Sequence, residues 1–234
     1  MRRPPTAALA LLAALAAFFV FRDANASEVD SRENPQFPPN PVPSFGDDVL
    51  PLNDPVPSFG DDALPLNDLS LAAFLFMIRN AEHTRENAIN GNAYGIFYGG
   101  SFFTNFADHP VLTGEKVGVP LSDAMCANAN MGPGCVSTAA GAYQINKPTW
   151  RTVRKAGAWG DRLPDFGPES QDEAARRILM LDGALPLIEQ GDIIGAILKA
   201  GKSWASLPGS TAKQGGKTIQ QAQNFYSEGL QVLA

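Results

Sequence analysis

Apolar side chains at Phe74, Leu75 and Ile78 recur at the spacing of a helix, and Ala81 and Glu82 continue the same stripe. Ser70 is placed to cap that helix, whose pattern runs to Glu82 or Glu86. From residue 91 the period changes. Tyr94, Ile96, Phe97 and Tyr98 precede Gly99-Gly100, and Phe102, Phe103 and Phe106 follow. Two β-prone runs across a Gly-Gly pair predict a tight hairpin. Helical spacing returns at Lys147-Pro148-Thr149, with proline at an early helical position, and continues through Trp150 and Val153. Ser170-Gln171-Asp172-Glu173 reads as a capping box ahead of a helix over residues 174–181. Asp192 caps a helix over residues 193–200, which Gly201 can end, and residues 217–228 make a last amphipathic helix. A helix, an aromatic hairpin and then several helices predict an α+β fold, mostly helical with a small β-hairpin sheet.

Glu82 interrupts this pattern, because it occupies a position where the stripe calls for a hydrophobe. An ionised, unpaired carboxylate is costly there. Burial raises the pKa of such a group and keeps it protonated near neutral pH. A protonated acid can give its proton to a leaving group. The alternative is that the helix ends at Glu82 and the side chain turns to solvent.

The first 68 residues differ in kind from the rest of the chain. Residues 1–26 start with Arg2 and Arg3, run through an Ala- and Leu-rich apolar stretch over 6–21, and end in Ala24-Asn25-Ala26. A basic start, an apolar run and a small-x-small end make an export signal. The run is short for the about 20 residues of a membrane span, although an uncleaved anchor is the alternative. Either way the chain is directed to the periplasm or secreted, and any membrane contact is through the leader. Residues 27–68 form a Pro-rich acidic spacer. Within it Pro41-Val42-Pro43-Ser44-Phe45-Gly46-Asp47-Asp48-Val49-Leu50-Pro51-Leu52-Asn53-Asp54 is repeated over 55–68 with only Val49 changed, to Ala63. Prolines at this density oppose helix and sheet, and two copies are too few for a solenoid. The spacer reads either as a tether that lets the domain reach a wall, a membrane surface or a secretion-machinery partner, or as a passive linker.

Charge sharpens this division. Of the net −6, the leader contributes +2 and residues 27–68 contribute −8, so residues 69–234 sum to zero. The acidity belongs to the spacer, and a basic footprint for nucleic acid is lacking. Cys126 and Cys135 flank a turn-prone stretch holding Gly132, Pro133 and Gly134. In an exported chain they predict a disulfide, worth roughly 2.7 kcal/mol by loop entropy. A catalytic cysteine paired with a histidine is the competing reading. With only His83 and His109, the chain has too few imidazoles for a typical zinc hydrolase site. His83 reads as a hydrogen-bonding neighbour of Glu82, and His109 as a turn residue. No Walker-type loop or GxSxG elbow is present, and no cofactor is called for.

Several blocks appear in one order: Ala81-Glu82-His83; Gly99-Gly100-Ser101-Phe102-Phe103-Thr104-Asn105-Phe106-Ala107-Asp108-His109-Pro110; Ser137-Thr138-Ala139-Ala140-Gly141-Ala142-Tyr143-Gln144-Ile145; Asp165-Phe166-Gly167-Pro168-Glu169-Ser170-Gln171-Asp172; Gly183-Ala184-Leu185-Pro186-Leu187-Ile188-Glu189-Gln190-Gly191-Asp192-Ile193; and Trp204-Ala205-Ser206-Leu207-Pro208-Gly209. In this order residues 69–230 resemble the lambda-type endolysins, glycoside hydrolase family 104 of the lysozyme-like superfamily. The resemblance implies a lysozyme-like catalytic domain over 69–234, with a cleft for the glycan strands of peptidoglycan. It places the catalytic carboxylate at Glu82 and lytic transglycosylase activity there. It also marks Tyr143 and Gln144 as cleft residues, with Gln144 bonding sugar and Tyr143 packing or orienting Glu82; core packing and a helix cap are their plainer roles. Phe103 and Thr104 are weaker cleft candidates, and residues 204–209 read as scaffold.

The chain departs from the family pattern around residues 115–136, an insertion that carries both cysteines and is expected to border the cleft. Asn105 stands where the family has Asp. Ordinary glycosidases need a second carboxylate at a defined distance. Asp108, Glu86 and Glu115 are the nearby candidates, and none stands out. A transglycosylase has no such need, because the substrate supplies its own nucleophile. A hydrolytic muramidase and a catalytically silent glycan-binding protein are the alternatives on the same fold.

Overall fold

The computed structural model describes residues 66–129, 131–210 and 216–234. The export leader and almost all of the spacer lie outside the described residues. Among those described, no helix is long and apolar enough to cross a membrane.

Helix α1 (Leu66–Glu82) is the central element. Residues Ala73, Phe74, Leu75, Phe76, Met77 and Ile78 are all buried in succession. A helix apolar on every side must be surrounded by other elements. Here the main one is α8 (Ile219–Leu233), which lies along it. At Gly229 the two helices come so close that a Cβ would sit 3.0 Å from Ala73 backbone atoms. The helix starts four residues before the expected cap at Ser70, so the last three residues of the second repeat are helical rather than spacer. Asp68 in the first turn complements the helix dipole. α1 ends at Glu82, and Thr84 caps a separate short helix α2 (Arg85–Ile89) that holds Glu86.

The expected aromatic hairpin is only partly formed. Asn92–Gly95 is a 3-10 turn instead of a strand. Gly99 and Gly100 do adopt the left-handed φ values (82° and 87°) of a tight turn. Ile96 and Phe102 make a single antiparallel bridge, after which Phe97 bridges to Ala140. Pairing with the 139–145 turn thus replaces a longer hairpin ladder. The two-stranded sheet lies elsewhere: β1 (Val119–Pro120) pairs antiparallel with β2 (Val136–Ser137), inside the region read as an insertion. Between them sits α3 (Asp123–Asn128), capped by Ser122. The Cys126–Cys135 disulfide closes this module, with Cα atoms 5.8 Å apart.

The helices that follow match the pattern with two exceptions. α4 (Lys147–Val153) carries proline at its start. α5 (Pro168–Asp182) begins at Gly167, before the expected capping box. Pro168 is already suited to a first helical position. Ser170 is therefore inside the helix, and its hydroxyl donates to Asp165 Oδ1 at 2.8 Å. α6 (Leu185–Glu189) was not anticipated. α7 (Ile193–Ala200) is capped by Asp192 as expected. Gly201 ends it with an ordinary helical φ of −56°. The glycine is required there by proximity, since a Cβ would lie 2.3 Å from the Pro208 carbonyl oxygen.

An aromatic cluster anchors the loop after the Gly-Gly turn. Trp150 meets Phe166 edge-on at 4.8 Å between centroids, and Phe103 packs between Phe106 and Phe166. His109 is fully buried rather than a surface turn residue. It pairs Nε2 with the Ile145 carbonyl at 3.0 Å, while Nδ1 accepts from the Val111 N–H. Burial pushes its pKa down to about 4, so it is a neutral strut.

Candidate active site

Glu82 ends α1 facing inward. The helix does stop there, but the side chain is buried, with 7% of the residue exposed. Loss of hydration pushes its carboxyl pKa up to about 7. The Ser206 hydroxyl, which donates to Oε1, and the positive charge of Lys217 pull the other way. Oε2 has no hydrogen-bond partner among the described residues. The result is a carboxyl group that changes protonation state near neutral pH, with one oxygen fixed and the other uncommitted.

Three loop segments gather behind this residue. His83 pairs Nε2 with the Gly141 carbonyl at 3.0 Å, which fastens the 139–145 turn to the end of α1. Gly141 has φ 77°, and a Cβ there would lie 2.0 Å from Gln171 Oε1, so only glycine fits. Its N–H donates to the Ile96 carbonyl, bringing in the Gly-Gly segment. The 204–209 loop joins through Trp204, whose indole N–H donates to the Tyr143 carbonyl at 3.0 Å. These bonds explain why blocks far apart in the chain converge around Glu82.

The candidate cleft residues take different places. Gln144 is buried and has φ 46°, an uncommon value for a residue with a side chain. Its Nε2 donates to the carbonyls of Ile96 (3.2 Å) and Gly141 (3.0 Å). It braces the turn rather than capping a helix. Tyr143 is buried, and its hydroxyl donates to Asp172 Oδ1 (2.6 Å) and accepts from Arg79 (2.8 Å). That polar group, which Tyr94 also joins, takes the hydroxyl in place of Glu82. Phe103 is a core residue at 2% exposure, so its ring packs on other aromatics instead of lining a cleft. Thr104 is exposed, and its N–H donates to Glu115 Oε1 at 2.9 Å.

The possible second carboxylates are otherwise engaged. Asp108 accepts from the Trp150 indole and the His109 N–H (2.7 Å each) and pairs with Arg154, reaching well beyond a local turn. Glu115 holds the backbone N–H groups of Thr104 and Asn105, which draw its pKa down. Glu86 is exposed on α2. Cys126 and Cys135 are bonded to each other, which removes the cysteine-nucleophile reading.

Ser206 and Lys217, the groups that act directly on Glu82, escaped the sequence reading. Both are far from Glu82 in the chain, and residues 204–209 carried only a turn signature. Ser206 lies in the last ordered block, and Lys217 only at the start of the last amphipathic pattern.

Among the described residues Glu82 is the acidic side chain that is buried, and its place at the end of the central helix suits the acid of a glycosidase. An endolysin family model matches residues 72–232. The chain therefore belongs to the endolysin family. It is 36% identical over 141 residues to the endolysin of Escherichia phage lambda, covering 59% of this chain and 77% of that one. It is 35% identical over 147 residues to the endolysin of Escherichia phage P2, covering 60% and 81%. Bacteriophage lambda lysozyme, solved in complex with a chitohexasaccharide, superposes with a TM-score of 0.53 at 32% identity, over 69% of this chain and 94% of that one. A second structure of the lambda lysozyme gives a TM-score of 0.50 at 30% identity, covering 71% and 94%.

Proposed function

We propose that this endolysin-family enzyme is an exported lytic transglycosylase that cleaves the β-1,4 bond between MurNAc and GlcNAc, with Glu82 as its acid and base. The observation that carries the reading is Glu82 itself: a buried carboxyl that changes protonation state near neutral pH, with Oε2 uncommitted among the described residues. The engagement of Asp108 and Glu115 elsewhere supports a one-carboxylate mechanism over the two-carboxylate pattern of ordinary glycosidases. The oligosaccharide held by the lambda lysozyme supports a glycan strand as ligand.

The steps balance without water. Glu82 gives its proton to the glycosidic oxygen as the bond from that oxygen to the MurNAc anomeric carbon breaks. The 6-hydroxyl of the same MurNAc attacks the anomeric carbon as it becomes oxocarbenium-like. The hydroxyl proton passes to the Glu82 carboxylate, which restores the acid. The products are a free GlcNAc 4-hydroxyl and a 1,6-anhydromuramic end. Gln144 and Thr104 remain candidate sugar contacts, Gln144 through its carbonyl oxygen and Thr104 through its exposed position.

The test is digestion of purified peptidoglycan followed by mass spectrometry. Products lighter by one water than the hydrolytic fragments are expected, and reducing ends instead would make the enzyme a muramidase. Glu82→Gln should abolish release of either product; undiminished release would remove Glu82 from the mechanism.

A further inference from the structure

The loop after α7 brings a serine hydroxyl to the Glu82 carboxyl. Ser206 sits between two buried anchors, Trp204 and Leu207. Trp204 is tied to the Tyr143 carbonyl, and the Leu207 N–H donates to the Trp204 carbonyl at 3.0 Å. From the other side, the Lys217 N–H donates to the Ser206 carbonyl at 2.7 Å. The backbone of Ser206 is therefore fixed by its neighbours, while among the described residues its side chain bonds to Glu82 Oε1.

We propose that Ser206 is a positioning residue that holds Oε1 of Glu82 and so makes Oε2 the atom that exchanges the proton with substrate. This rests on the reading of Glu82 as the acid and base. A hydroxyl donor can stay on Oε1 whether the carboxyl is neutral or ionised. The acid proton is thereby confined to Oε2, the oxygen without a partner among the described residues. The same bond favours the charged form and opposes the effect of burial. A group that must give a proton and then take one back works best when neither state is strongly favoured.

Other ionisable groups on the surrounding elements are accounted for. Lys217, ahead of α8, is the group among the described residues whose charge bears on Glu82. Glu228 of α8 pairs with Arg85 of α2, and Asp172 of α5 lies 3.8 Å from Arg79 of α1. Glu86 on α2, Glu189 on α6 and His83 do not contribute to the Glu82 shift.

The experiment compares wild type, Ser206→Ala, Ser206→Thr and Glu82→Gln on soluble glycan strands across pH 5 to 9. Ser206→Ala should lower kcat about tenfold or more with KM little changed. It should also move the alkaline limb of the kcat/KM profile to higher pH, because burial of Glu82 is then opposed by Lys217 alone. Ser206→Thr, which keeps the hydroxyl, should restore most of the rate and the original limb. A merely structural role would lower the rate without moving the limb, whose position does not depend on how much of the sample is folded. An unshifted limb, or full activity in Ser206→Ala, overturns the proposal. If Glu82→Gln is inactive while Ser206→Ala behaves as wild type, only the role of Ser206 falls; if Glu82→Gln is active, the mechanism beneath it falls too.

Discussion

Glu82 has opposite effects on stability and on chemistry. Its pKa of about 7 in the folded protein lies above the ordinary 4.5. Between those values the folded chain binds this proton more tightly than the unfolded chain. Stability from the group is therefore full below about pH 4.5 and is lost as pH rises through about 7. The full difference is roughly 3 kcal/mol. Glu82→Gln has no proton to lose, so its stability relative to wild type should rise by about that amount between pH 5 and pH 8. Urea denaturation at the two pH values measures this, and parallel pH dependences would contradict it. Ionising this buried carboxyl therefore costs stability, while the proposed acid role gains from the same raised pKa. The stripe of Phe74, Leu75 and Ile78 made this residue visible in the sequence, but its partner was not visible. Ser206 is one serine among many until folding places its hydroxyl on Oε1.

At the scale of elements, the 139–145 turn links the site to the core. Gly141 is the clearest test of that link. Its φ of 77° and the 2.0 Å approach of Gln171 Oε1 leave no place for a methyl group. Gly141→Ala should cost about 3 kcal/mol through strain and displacement of Gln171. It should also reduce activity in the fraction that stays folded, because the Gly141 carbonyl receives His83 and Gln144. Denaturant midpoints and initial rates on the same preparation check both outcomes. Helix periodicity showed α4, α7 and α8 in advance, and an apolar run at helical spacing showed α1, which is buried over every residue from Ala73 to Ile78. The hairpin was overestimated for a physical reason. β-prone residues around Gly99-Gly100 were available for pairing, but Phe97 found its partner in Ala140, which is remote in sequence. The capping box at Ser170 failed similarly, since Gly167-Pro168 begins the helix three residues earlier.

For the molecule as a whole, the division into segments has consequences for where it acts. The disulfide of the 119–137 module needs an oxidising compartment to form. With the leader pattern of residues 1–26, this supports export. Protein recovered from outside the cytoplasm should begin at Ser27 and react with a thiol reagent only after reduction. N-terminal sequencing and thiol titration test this, and a chain that still begins at Met1 would favour the uncleaved anchor. The folded part carries no net charge over residues 69–234, whereas the spacer is strongly acidic. Attraction to a wall surface would therefore come from the cleft or from the spacer and not from a charged catalytic domain.

The sequence alone determined the longer helices, the ordered blocks and the carboxylate set among hydrophobes, and it favoured the pairing of the two cysteines. These are properties of local periodicity, short spacings and order along the chain. Tertiary structure decided which side chains serve the site. It turned Phe103 into core, gave the Tyr143 hydroxyl to Arg79 and Asp172, and occupied Asp108 with Trp150 and Arg154. It also brought Ser206 and Lys217 to Glu82 across more than half of the described chain. Such assignments depend on contacts between residues remote in sequence, and no local pattern records them.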